Sequence, residues 1–388
     1  MHLPERVSWK DDTMSDPRRM HFLDGLRGVA CLMVVIFHYW LAFSNPNDIP
    51  WYFDGQLAVG IFFVMSGMVL ATAYRDYSIP LTYRVFSRLA RLLIPTLIAF
   101  FISDVVIAMS FSYDHTIAGK LGKQILLRWS NHPTASIRWE DLGGLIVGFK
   151  DSTMFPVQHT VSVDDSVCVP LWTINYEILG SLLILFLTRI RSEAARIAIL
   201  LILLPIIGLR ELGLFLVGYV FRFYYQPRIG NSGSKIIAVV AAISLAGVIS
   251  LGMLRAHPTI DSILSGLLPH RSPLEGLHAI GSTLVVLLIL NFRPLRQLLE
   301  IQIFQFLGKI SFSIYLIHWP IMLGIGGYLY YRGMSFGEII VACLIITIPC
   351  AILFERYVDR PSIRLARYIV SRDETKLKSL RQFGSPEN

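Results

Sequence analysis

Apolar runs of bilayer-crossing length recur from one end of this chain to the other, and that repetition limits its fold more than any single motif does. A spanning helix needs roughly 20 predominantly apolar residues. Segments that meet or approach this template lie near residues 25–43, 57–73, 92–110, 168–188, 195–209, 211–223, 236–254, 278–292, 302–328 and 337–355. Inside a bilayer no water satisfies the backbone, so such segments fold as helices. The expected fold class is all-α, a polytopic transmembrane helical bundle of about ten spans. The fifth and sixth segments carry the weakest signal. Pro205 and Gly208 interrupt the run and Arg210 and Glu211 fill the turn, so one re-entrant pair is the other reading.

Charged residues make up 16% of the chain, against roughly 25% in soluble proteins. Together with 54% apolar residues this excludes a disordered chain and disfavours a soluble enzyme. The first twenty residues are polar and mixed in charge, without the pattern of a cleaved leader, so the first apolar run is expected to be a retained span. The formal charge is +8, and its distribution is informative. With a cytoplasmic N-terminus and ten crossings, 25 Lys and Arg side chains fall on the inner side, 9 on the outer side, and Arg27 within a span. Cytoplasmic loops of membrane proteins collect basic residues, so both termini are expected to be cytoplasmic. The basic balance then reads as a topology signal, and nucleic acid is not an expected partner.

The chain divides into a cytoplasmic N-terminal segment (1–20), a membrane domain (21–368) and a polar cytoplasmic tail (369–388), frayed from Ser371 onward. An outer loop at 111–167, carrying His115, His132, His159, Asp164 and Asp165, is long enough to be functional. Four cysteines show no CxxC and no Cys/His spacing, so no metal site is expected. There is no P-loop, no GxGxxG and no internal repeat.

Ionisable side chains inside spans are expensive unless paired or facing a polar cavity, which makes them the first functional candidates. Arg27 and His38 lie eleven residues apart in FLDGLRGVACLMVVIFHYW. That spacing is close to three helical turns, so the two share one face about 16 Å apart. A long ligand with an anionic end and a reactive tip fits them: a guanidinium fork holds phosphate, and an imidazole moves protons near neutrality. The competing reading makes Arg27 a snorkelling interfacial residue and His38 a packing residue.

Arg84, Arg88 and Arg91 recur at helical spacing in TYRVFSRLARLLIP and share a stripe. They suit donor phosphates, or equally topology and anionic lipid headgroups. Glu177, in VPLWTINYEILG, is expected to pair with a buried cation or imidazole, His38 being placed at comparable depth. His318 precedes Trp319 and Pro320 in GKISFSIYLIHWPIM, where a proline kink offers backbone carbonyls as structural partners. Asp24, Ser66, Tyr315 and His318 complete the candidate cavity lining; Ser66-Gly67 also reads as a close helix contact. Asp104 is a further intramembrane acid without an assigned role.

In order, Asp24-Gly25-Leu26-Arg27, His38, FFVMSG (Phe62 to Gly67), RLLIP (Arg91 to Pro95), LWTINYE (Leu171 to Glu177), GKISFSIYLIHWP (Gly308 to Pro320) and FERYVDRP (Phe354 to Pro361) span about residues 21–368. This series resembles the acyltransferase type 3 family of integral membrane acyltransferases. The resemblance implies transfer of an acyl group, commonly acetyl, from cytoplasmic acyl-CoA to a hydroxyl on an extracytoplasmic glycan or lipid-linked sugar. It ties Arg27 and His38 to activity and Arg88 and Arg91 to the donor side. It implies acyl-CoA as donor substrate with no permanently bound cofactor, a carbohydrate or lipid-linked acceptor and the lipid bilayer as partners, and a bacterial cytoplasmic (inner) membrane as location.

On the combined reading Arg84, Arg88 and Arg91 hold the donor phosphates, Arg27 contacts the inner part of the ligand, and His38 acts at the thioester. His38 either deprotonates the acceptor hydroxyl or carries the acyl group covalently, with Glu177 orienting its ring. The reading from another functional class is a small-solute transporter, which buried charges and proline-broken helices also suit.

Overall fold

A computed structural model describes residues 20–44, 55–74, 79–121, 143–144, 168–208, 210–225, 233–254, 262 and 273–383. Every regular element among the described residues is helical. Helix α1 covers His21–Phe43, α2 Gly55–Ala73 and α3 Leu81–Leu121. A short 3-10 turn, Val169–Leu171, leads into α4, Trp172–Arg189. Then come α5 Glu193–Ile207, α6 Glu211–Val220, α7 Gly233–Leu254, α8 Pro273–Asn291 and α9 Arg293–Leu299. The last group is α10 Gln302–Ile321, α11 Gly327–Tyr331, α12 Phe336–Phe354 and α13 Arg360–Phe383.

Each apolar run of the sequence is a helix, but the lengths differ. Among the described residues, six stretches are long and apolar enough to cross a membrane: His21–Phe43, Gly55–Ala73, Leu81–Val106, Val169–Arg189, Gln302–Tyr331 and Phe336–Ser371. The pair α8 and α9, bent by 96°, makes a seventh if counted as one broken span. The other three runs are shorter. Helices α5 and α6 have 15 and 10 residues because Gly208, at φ 67°, stops α5, and the apolar stretch of α7 runs only from Ser234 to Ser250.

At its far end the chain departs from the expectation of a frayed tail: α13 continues as helix through Phe383, joined to α12 by a π-helical turn at Glu355–Asp359. Helix α3 likewise runs eleven residues into the expected outer loop, to Leu121. The remainder of that loop apart from residues 143–144, like the N-terminal residues 1–19, lies outside the described residues.

Close backbone contact sets the packing. Helix α1 lies along α10, α2 along α6, α7 along α8, and α13 along α3. At the first crossing a Cβ on Gly308 would overlap the Asp24 carbonyl, and beside it one on Gly25 would overlap the Leu299 carbonyl of α9. At the second, a Cβ on Gly67 would meet the Phe215 carbonyl and one on Gly218 the Val64 carbonyl. Without a hydrophobic drive between helices in lipid, such small-residue contacts are what hold helices together. Gln305 fastens α9 beneath the start of α1, donating from Nε2 to His21 O (2.9 Å) and Leu299 O (2.8 Å). Asn291 ties the α8–α9 bend, accepting from Tyr225 Oη (2.6 Å) and Ser234 Oγ (3.1 Å).

Candidate functional site

Helices α1 and α10 place two histidines side by side. His38 lies seventeen residues along α1, about 25 Å from its start. Its Nδ1 is 3.1 Å from His318 Nε2, and the rings stack with centroids 5.2 Å apart and planes 25° from parallel. Trp319 meets His38 edge-on at 5.5 Å. His318 is fully buried, whereas His38 is only half-buried. The other nitrogen of His318, Nδ1, faces two carbonyls of its own helix, Tyr315 O at 2.7 Å and Ile314 O at 3.2 Å. Pro320, two residues further on, interrupts α10 before the π-helical turn at Met322–Gly326, a known effect of a residue that lacks an N–H.

The Glu177 carboxylate is elsewhere. It accepts from Ser66 Oγ at 2.6 Å and from Arg88 Nη2 at 2.6 Å, while Arg88 Nε donates to Ser181 Oγ at 2.8 Å. Glu177 thus joins α2, α3 and α4, and the group on His38 Nδ1 is His318, not Glu177. The physical reason is depth. Arg88 reaches Glu177 from only seven residues into α3, about 10 Å from that helix's start, whereas His38 sits well over twice as far along α1.

Around this ion pair stands a charged cluster. Arg91 is close enough to Arg88, Arg27, Asp359 and Glu177 to feel all four charges, and Asp359 also feels Arg27. Arg91 has exposed surface on the protein, near the start of the candidate span Leu81–Val106. Pro95, four residues on, leaves the Arg91 carbonyl without its helical donor. Arg27 is half-buried and its Nη1 lies 3.7 Å from Asp24 Oδ1. Asp359 is buried at the π-helical turn, next to the Glu355–Arg360 pair at 2.6 Å.

Arg84 has a different position. It is buried, donates from Nη1 to Ala73 O at 2.7 Å, and lies over the Tyr74 ring at 5.6 Å. It therefore caps the last turn of α2, as a cation at a helix C-terminus does. Arg222 Nε and Arg189 Nη2 bind the same region, at Thr72 Oγ1 (2.5 Å) and Ile79 O (2.6 Å). Burial raises the Tyr74 hydroxyl above its usual range, against the pull of Arg88. No group of three His, Cys, Asp or Glu able to hold a metal ion occurs among the described residues.

One family model, described as an acyltransferase domain of type 3, matches residues 20–356, nearly the whole chain. The chain belongs to the type 3 acyltransferase family. It is accordingly an acyltransferase-type, multi-pass membrane protein. No curated protein and no solved structure matches it.

Within this acyltransferase the structure brings His38, His318 and Trp319 together at one place, and Arg27, Arg88, Arg91, Glu177 and Ser66 at another, deeper toward the start of α1. Tyr315 lies between α10 and α4: its hydroxyl is 2.7 Å from Thr173 Oγ1 and bonds the Pro170 carbonyl. Asp104 is half-buried on α3. Asp359 and Ser181 were not singled out in the sequence. Asp359 stands past the last apolar run, where a solvated position is the ordinary reading, although it lies within FERYVDRP. Ser181 has no ionisable group to draw attention.

Proposed function

We propose that this acyltransferase moves an acyl group, with acetyl the expected case, from cytoplasmic acyl-CoA to a hydroxyl of an extracytoplasmic glycan or lipid-linked sugar. The observation that carries the reading is the arrangement along α1: a half-buried imidazole at His38, and toward the helix start a cationic cluster containing Arg27 and Arg91. An anionic nucleotide and a thioester at opposite ends of one long molecule match that separation of about 16 Å.

On this reading Arg91 and Arg27 receive the donor phosphates, which a guanidinium binds through paired N–H groups. Arg88, held by Glu177 and Ser181, lends its field to the cluster and fixes the helices around it. The acceptor hydroxyl loses its proton to His38 Nε2, its oxygen forms a bond to the thioester carbonyl carbon, and the carbon–sulfur bond breaks. The proton on Nε2 then passes to the departing sulfur, which leaves as the free CoA thiol. The ten helical runs are taken as ten crossings with both termini cytoplasmic, in a bacterial cytoplasmic membrane, which puts the cationic cluster on the donor's side.

The test uses the purified full-length protein in detergent, where no gradient exists to support transport. It is given radiolabelled acetyl-CoA and a lipid and glycan extract of its own host. Label in the glycan fraction, dependent on the protein and lost with His38→Ala, supports the reading. Absence of any thioester-dependent product with folded protein contradicts it.

A further inference from the structure

We propose that His318 is a positioning residue that fixes the tautomer of His38 and so aims the His38 Nε2 lone pair at the reacting groups. The inference rests on the reading of His38 as the base, and on geometry that reading does not use.

His318 Nδ1 lies 2.7 Å from the Tyr315 carbonyl and 3.2 Å from that of Ile314. A carbonyl oxygen only accepts, so Nδ1 carries the hydrogen. In a neutral imidazole the other nitrogen is then a bare acceptor, here His318 Nε2. That acceptor lies 3.1 Å from His38 Nδ1, which must donate to make the contact favourable. The hydrogen of neutral His38 is thereby placed on Nδ1, and Nε2 is left with its lone pair. The Val34 carbonyl, one turn back on α1, is a further hydrogen-bond acceptor for the His38 ring, and that ring is half-buried, whereas His318 is wholly enclosed.

Among the described residues no carboxylate takes part in this chain of contacts. Phe37, Trp319 and His318 are the rings against His38. A neutral histidine does here what an acid does in a triad: it selects one tautomer and holds the ring plane. When Nε2 takes the acceptor's proton, the imidazolium keeps donating from Nδ1 to His318 Nε2, a charge-assisted bond stronger than the neutral one. His318 does not take the proton onward, because its Nδ1 hydrogen faces only carbonyl oxygens. Its contribution is therefore made once charge develops, and binding of the donor does not depend on it.

The test compares His318→Phe, which keeps a ring of similar size without an acceptor, with His318→Gln, whose side-chain oxygen can accept from His38 Nδ1. Both are assayed in inside-out membrane vesicles of the native host with radiolabelled acetyl-CoA, beside His38→Ala. The expected result is a kcat at least about 100-fold lower for His318→Phe with KM for acetyl-CoA within about 3-fold of wild type, and recovery of about 10-fold in kcat by His318→Gln. In the wild type, 15N chemical shifts of the labelled purified protein place the His38 hydrogen on Nδ1; in folded His318→Phe that preference is lost. Unchanged kcat in His318→Phe while His38→Ala is inactive overturns the role of His318 and leaves that of His38 standing. Full activity in His38→Ala overturns the reading beneath it. A shift pattern with hydrogen on His38 Nε2 in the wild type also refutes the inference.

Discussion

Glu177 holds three helices with one carboxylate, accepting from Ser66 on α2 and Arg88 on α3 while it stands on α4. Both members of the ion pair are 15% exposed, so removing one leaves the other poorly solvated. Glu177→Ala is expected to cost about 2 kcal/mol of stability. Arg88→Ala made in the same protein should recover part of the loss, because the orphaned charge is gone. A double-mutant cycle followed by thermal unfolding in detergent measures this coupling, and strictly additive losses refute the pair. The arginines separate in the same way. Arg91 has exposed surface and Arg84 is buried on the end of α2. Arg91→Gln should raise KM for acetyl-CoA roughly 10-fold or more, the worth of a charge-assisted hydrogen bond, with kcat changed little. Arg84→Gln should instead lower the unfolding temperature. Equal KM effects from both would contradict this division. Which residues are ionised inside spans was legible in the sequence, since composition exposes them directly. Their partners were not fully legible, because pairing depends on how far each helix is shifted along its neighbour: Glu177 was expected at a buried cation or an imidazole, and its partner is the cation Arg88, not His38.

At the scale of elements, the α1–α10 crossing sets the distance between His38 and His318. Gly308 permits it, as a Cβ there would overlap the Asp24 carbonyl. Gly308→Ala should push the helices apart at a cost of about 1–3 kcal/mol and reduce acyl transfer. Gly337 on α12 has open space where a Cβ would go, so Gly337→Ala should leave both properties at wild-type level. Thermal unfolding and vesicle assays of the two variants side by side check this, and a silent Gly308→Ala would show that the crossing is not critical. The helices themselves were legible as apolar runs. The break at Gly208 was legible in the run, whereas the 96° turn into the short α9 helix, which follows the apolar run of α8, was not, because a bend leaves no mark in hydropathy. The α13 helix was missed because its polar stretch, with Arg372, Lys376 and Lys378, carries no apolar run.

At the scale of the whole molecule, the surplus of basic residues and the placement of the cationic cluster point the same way. Arg27 near the start of α1, Arg84 beside the end of α2 and Arg189 at the end of α4 all lie toward one side, the side taken as cytoplasmic. Single cysteines introduced at Ser8 and Ser385, in a background without the native cysteines, should react with an impermeant thiol reagent in inside-out vesicles and not in intact cells. Labelling of either end from outside would require an odd number of crossings or a reversed orientation. On the proposed reading His38 is the base for acyl transfer from a donor held on that side. The most direct measurement of this is incorporation of label into glycan when radiolabelled acetyl-CoA is added outside inside-out vesicles carrying wild-type protein or a normally inserted His38→Ala variant. The account predicts label with wild type and at least a 100-fold loss with the variant; equal incorporation by the two proteins would contradict it.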